Sequence, residues 1–246
     1  MLKSALLTVL MLLCLGPLAQ AQPLRLVTEP WPPYAYLHDG QPTGIDYDIA
    51  NEVFRRLGVT VHWEFLPWRR CLMMIEQGQA DGVLDIFQTH DRAPLLLYPE
   101  QSLSNVDFVL YQAIRKPHTV NSLADLRGLR VGVQAAFQYG PAFDGAVDFR
   151  REPAPTLQAN FGKLLLGRID VLITDRHAGR FVIQELALQG QVSELPWRAG
   201  SYPQYLALRR NAGLDELMKR FDAELQRFRA EPQYQARMAH FADASH

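Results

Sequence analysis

Two aspartates, Asp46 and Asp48, stand two residues apart in GIDYDIANEVFRRLG, the stretch from Gly44 to Gly58. Carboxylates so placed can serve three kinds of chemistry. They can act as a general acid–base pair, with a substrate position between them. They can open a calcium loop, which needs further oxygen ligands and a glycine in fixed order. They can also begin a helix, whose first turn favours negative charge. The run that follows has helical spacing, so the elements around the pair have to decide.

Those elements alternate. LRLVT (24–28) reads as a strand entering the proline-rich loop EPWPPYAYL. VTVHWEFLP and ADGVLDIF read as two more strands. Ile49, Val53 and Leu57 repeat every fourth residue, and a second helical pattern follows Trp68. The order recurs downstream. VDFVLYQAI is a longer strand. SLADLRG has Ser122 as a helix N-cap and Gly128 as a stop. LRVGVQ, LQANFGKLLLG and IDVLITD then read as strand, helix and strand, and YLALRR as a late strand. The tail is an amphipathic helix with Leu214, Leu217, Met218, Phe221, Leu225 and Phe228 on one face. Strands alternating with helices predict α/β architecture with largely parallel sheets. The repetition predicts two lobes. Strands near 105–111 and 204–208 are the expected crossovers, with a cleft between the lobes that closes by hinge motion.

The N-terminus predicts export. Lys3, the apolar run Ala5 to Leu15, Gly16-Pro17 and Ala19-Gln20-Ala21 form a secretory signal cut before Gln22. Cys14 follows Leu13, where a lipid-anchor signal has a small residue. Cleavage leaves Cys71 as the one cysteine, so no internal disulfide is expected. The formal net charge of -1 gives no reason to expect nucleic-acid binding. His38, His62, His90, His118 and His177 lack metal-ligand spacing, and no metal or cofactor is expected.

The chain resembles the periplasmic solute-binding proteins of family 3, which serve amino-acid ABC importers. The resemblance runs through TEPWPPY, GIDYDIA, GQADGV, THDR, LADLRGLRVGVQ and GRIDVLITD in that order. It implies the two-lobed periplasmic-binding-protein fold (type II), with residues 1–21 as signal peptide, 22–108 plus 205–246 as the first lobe and 109–204 as the second. It places GIDYDIA at the start of the first long helix, so Asp46 and Asp48 are expected as helix-start residues. It implies a periplasmic monomer that binds a small polar solute, an amino acid or related amine, and delivers it to an ABC permease. It implies no enzymatic activity.

Site residues follow from the same phrases. Arg92 in THDR resembles the arginine that grips the ligand α-carboxylate, a two-pronged donation that lysine cannot reproduce. Asp175 resembles the aspartate that takes the ligand ammonium, and its place at a strand end also suits a helix N-cap. Trp31 and Trp68 stand where aromatics face the ligand, whereas Tyr34 is expected beneath the loop. Three departures qualify the pattern. Asp85 and Phe87 replace small hydroxyl residues ahead of the arginine. Phe137 and Gln138, in AAFQY, replace a hydroxyl-rich turn. Asp85 and Glu29 together make an acidic pocket that suits a cationic ligand. Two alternatives share the fold. One is a dehydratase of the cyclohexadienyl type, with Asp85 or Glu29 as general acid. The other is a ligand sensor docking on a signalling membrane protein.

Overall fold

The structure, a computed structural model, describes residues 22–244. The signal segment at residues 1–21 lies outside them. β1 (Leu24–Thr28) leads into a hairpin of β2 (Tyr36–His38) and β3 (Gln41–Thr43). There follow α1 (Ile45–Arg56), β4 (Val61–Phe65), α2 (Trp68–Glu76), β5 (Gly82–Ile86) and the short β6 (Leu96–Leu97). β7 (Ser104–Ala113) crosses over. Beyond it lie a 3-10 turn (Leu123–Leu126), β8 (Arg130–Gln134), α3 (Pro141–Gly145), β9 (Arg150–Ala154), α4 (Leu157–Leu165), β10 (Val171–Asp175) and α5 (Arg176–Glu185). β11 (Val192–Arg209) returns to the first lobe, where α6 (Asp215–Arg229) and α7 (Pro232–Ala244) end the described chain.

The strands hydrogen-bond in the order β4-β1-β5-β11-β7-β10-β8-β9, with β6 also on β11. β1 is parallel to β4 and β5, and β8 is parallel to β9 and β10. β7 and β11 join these two groups, antiparallel to each other from Ser104–Gln204 to Ala113–Val192. All five residues of β5 and of β10 are buried, as expected for strands covered on both faces. α1 buries Ile45, Ile49, Ala50, Val53 and Phe54, a helical stripe against the first sheet. In the second lobe Phe161, Leu164 and Val182 do the same from α4 and α5.

The opening aspartates do start a helix, but capping is not how Asp46 acts. The N-cap of α1 is Gly44, with φ 119°, and no side chain caps the helix. A Cβ at Gly44 would lie 2.2 Å from the Tyr34 carbonyl oxygen, so only glycine fits there. Asp48 lies at the surface, 3.7 Å from Arg237. Asp46 is 0 % exposed and accepts a 2.6 Å hydrogen bond from the Ser104 hydroxyl of β7. Ser122 likewise makes no side-chain cap to its turn and instead donates to Asp125.

Candidate functional site

The TEPWPPY loop leaves β1 and folds back on itself. The Trp31 amide donates to the Ala35 carbonyl at 2.7 Å. Trp31 thus follows the carboxyl end of β1, the side on which open α/β sheets hold ligands. Trp68 is the first residue of α2, after Pro67 at the N-cap, and is also buried. Asp85 and Phe87 come from the end of β5, and Arg92 from the turn beyond it. From the second lobe, Phe137 and Gln138 come from the turn after β8. Ala136 in that turn has a left-handed φ of 66°.

These pieces converge on one pocket of about 350 Å³, lined by Thr28, Glu29, Trp31, Trp68, Asp85, Phe87, Arg92, Phe137 and Gln138. Eight of the nine residues singled out in the sequence line it. The ninth, Asp175, does not. It is 0 % exposed and serves as the N-cap of α5, accepting from the Ala178 amide at 2.8 Å. It also accepts from the Tyr34 hydroxyl at 2.9 Å and the Asp107 amide at 3.2 Å. Thr28 is the one lining residue that was not singled out. A wider groove runs outward from the pocket between the lobes, sharing Glu29 and Trp31 and reaching Phe65, Gln134 and Phe181.

The lobes meet across this pocket. Phe137 packs edge-on to Trp31 at 5.5 Å and lies 6.4 Å from Trp68. The Gln134 amide donates to Glu29 at 3.1 Å. The Tyr34–Asp175 bond is a further contact of the same kind.

Charge in the pocket is unevenly matched. Arg92 is half-buried. Its Nη1 donates to the Phe87 carbonyl at 3.1 Å, and its guanidinium lies 5.7 Å from the Trp68 ring centre. No described carboxylate lies within ion-pair distance of it. Burial pulls its pKa down. Burial also pushes Glu29 up to about 7, although the Trp68 backbone and Gln134 hydrogen-bond to it. Asp85 is 6 % exposed and rises well above the usual carboxylate range, through burial first and then the neighbouring Asp46. Cys71 is buried, with its thiol pushed up to about 12 by burial, and takes no part in the pocket. Among the described residues no group of three His, Cys, Asp or Glu side chains is placed to hold a metal ion, and no helix is long and apolar enough to cross a membrane.

The family model described as bacterial extracellular solute-binding proteins, family 3, matches residues 24–243. No curated protein sequence matches significantly. Solved structures share the fold. An amino acid ABC transporter substrate-binding protein, AbpA from Streptococcus pneumoniae, bound to L-arginine, is 18% identical with a TM-score of 0.76, covering 90% of this chain and 95% of its own. Holo ArgBP from T. maritima is 17% identical with a TM-score of 0.74, covering 89% and 95%. A histidine kinase sensor domain similar to periplasmic binding proteins is 21% identical with a TM-score of 0.77, covering 89% and 96%.

Proposed function

The chain belongs to the bacterial extracellular solute-binding proteins, family 3, and on that premise we propose that it binds an amino acid or related amine-bearing solute in the periplasm and delivers it to an ABC permease. The observation that carries this is Arg92, a partly buried guanidinium on the pocket wall with no described carboxylate to pair it. Burying a charge unpaired is costly, and a ligand carboxylate would remove that cost. Trp31, Trp68 and Phe87 supply the apolar lining. Glu29 and Asp85 form the acidic side and receive the amine, because Asp175 is held by Tyr34 and the α5 amides. Phe137 and Gln138 close the pocket from the second lobe.

The lobes exchange at 108/109 and 204/205. The support is the pairing of β11, which runs along β7 up to Gln204 and meets β5 from Tyr205 onward. Residues 22–108 with 205–246 then form the first lobe and 109–204 the second. The protein acts as a monomer. Calorimetry with a panel of α-amino acids, on the wild type and Arg92→Ala, tests the reading. It fails if the variant binds the selected ligand as tightly as the wild type.

A second reading keeps the fold and adds turnover. Glu29, with its carboxyl held near neutrality, would protonate a leaving group in a cyclohexadienyl acid. Product formation from such a substrate separates this dehydratase from a receptor. The sensor-domain likeness concerns the fold alone, and capture of a permease or of a membrane kinase separates delivery from signalling.

A further inference from the structure

The groove outside the pocket is built from both lobes, and its lining suits a different chemistry. It encloses about 640 Å³, within the range of small-molecule sites. Pro30, Pro32 and Phe65 line it from the first lobe, and Pro155, Leu157 and Phe181 from the second. The lobes touch at two places along it. Tyr36 of β2 meets Phe181 of α5 edge-on at 5.5 Å. Where the groove joins the pocket, the Gln134 amide of β8 donates to Glu29 Oε1 at 3.1 Å. Two apolar walls brought face to face gain most when the space between them is filled by something apolar. Water left there keeps both walls hydrated, and the hydrophobic gain is forfeited.

Charge along the groove points one way. Its carboxylates are Glu29 and Glu185, its histidine is the exposed His38, and no described Lys or Arg lines it. Glu185 accepts from the Gln158 amide at 3.1 Å, and His38 lies 3.7 Å from Asp39. The prolines bring no N–H donors. An anionic group in the groove therefore meets carboxylates and no fixed cation, whereas an uncharged apolar group meets no opposition. Glu29 belongs to both cavities. Its Oε2 is buried and accepts from no side chain among the described residues. A ligand N–H at the junction of pocket and groove has that oxygen to donate to.

We propose that the groove is the compartment for a second arm of the ligand, so that the solute is an amino acid carrying an apolar substituent on its nitrogen. The inference rests on the solute-receptor reading and deepens it. The carboxylate lies on Arg92 in the pocket. The nitrogen lies at the junction and donates to Glu29. The substituent, alkyl or aryl, runs outward between the proline-lined wall of the first lobe and Phe181 of the second. A free amino acid occupies the pocket alone and leaves the groove wet. The arm touches both lobes, so it favours the closed form and adds affinity through that preference. An arm that ends in a carboxylate loses the gain beside Glu185.

Calorimetry on the intact mature protein tests this with L-alanine, L-leucine and L-arginine, each in its free, N-benzyl and N-(4-carboxybenzyl) forms. For the amino acid that binds best, the N-benzyl form should bind roughly tenfold or more tighter than the free form. The N-(4-carboxybenzyl) form should show no such gain. Gln158→Trp puts a large ring at an exposed position of the groove wall. It should bring the ratio of N-benzyl to free affinity back to about one. Phe181→Ala should lower the same ratio, and the wild-type ratio stands even if a variant fails to fold. A ratio of one in the wild type overturns the proposal. So does a ratio that survives Gln158→Trp, equal binding of the N-benzyl and N-(4-carboxybenzyl) forms, or failure of every probe to bind. A free amino acid held through Arg92 with no gain from the substituent would sink the groove and leave the receptor reading standing. A gain that persists in Arg92→Ala with affinity undiminished would sink the Arg92 reading and leave the groove standing.

Discussion

Arg92 and Asp85 sit in the same pocket with opposite needs. Arg92 lacks a described carboxylate partner, so Arg92→Ala should cost about 2–5 kcal/mol of affinity for a carboxylate ligand, read by calorimetry. Arg92→Lys should recover little of that, since a point charge replaces a fork. Asp85 and Asp46 bear on stability instead. Their folded pKa values lie above the unfolded ones, so the folded state holds the extra protons. The Asp46 contribution is complete below the ordinary aspartate range of about 4 and is lost as pH rises through about 7, and Asp85 acts in the same direction. The wild-type melting temperature should therefore fall between these pH values. Asp46→Asn, which cannot ionise, should flatten that fall. Equal slopes in the two proteins would mean that the buried Asp46 carboxyl does not drive the fall. The sequence showed Arg92 as a pocket candidate through its family-like phrase, and Asp85 as a departure from the family pattern just ahead of it. It did not show that Asp46 turns inward to the Ser104 hydroxyl of β7. Nor did it show that Asp175 is claimed by Tyr34, because the partner of a buried carboxyl is set by tertiary packing.

At the scale of elements, hydrophobic periodicity marked α1, α2, α4 and α6 and the fully buried strands, since both follow from which faces meet the core. β9 and most of β11 were not legible. RREPA is charged and carries a proline, which suits an edge strand paired only to β8. β11 contains Pro196, Gly200 and Pro203, residues that read as a loop. It tolerates them by shifting register between Glu194 and Arg198 and again before Gly200. The start of α1 depends on a single glycine. Gly44→Ala combines a left-handed φ with a clash against the Tyr34 backbone. It should lower stability by more than ~1 kcal/mol, seen as a lower denaturant midpoint at unchanged slope.

For the whole molecule, a receptor that closes on its ligand would rest its closed form on a few contacts between the lobes. Ligand shifts this equilibrium only by its preference for the closed form. Tyr34→Phe removes the hydroxyl that bridges to Asp175 across the lobes. Without ligand, small-angle scattering should give this variant a larger radius of gyration than the wild type. Saturating ligand should bring the two together. Identical ligand-free radii would mean that the Tyr34–Asp175 bond does not hold the cleft.

β11 also bears on how the chain becomes a protein at all. β5 lies between β1 and the last residues of β11, with Tyr205 opposite Ile86 and Leu208 opposite Gly82. A ribosome delivers β5 long before it delivers that neighbour. Until then the hydrophobic GVLDI edge offers a row of unpaired amides and carbonyls to any other chain, which is the template on which nascent proteins aggregate. The first lobe begins first and finishes last, and a chain stalled before residue 205 would need a chaperone to shield that edge.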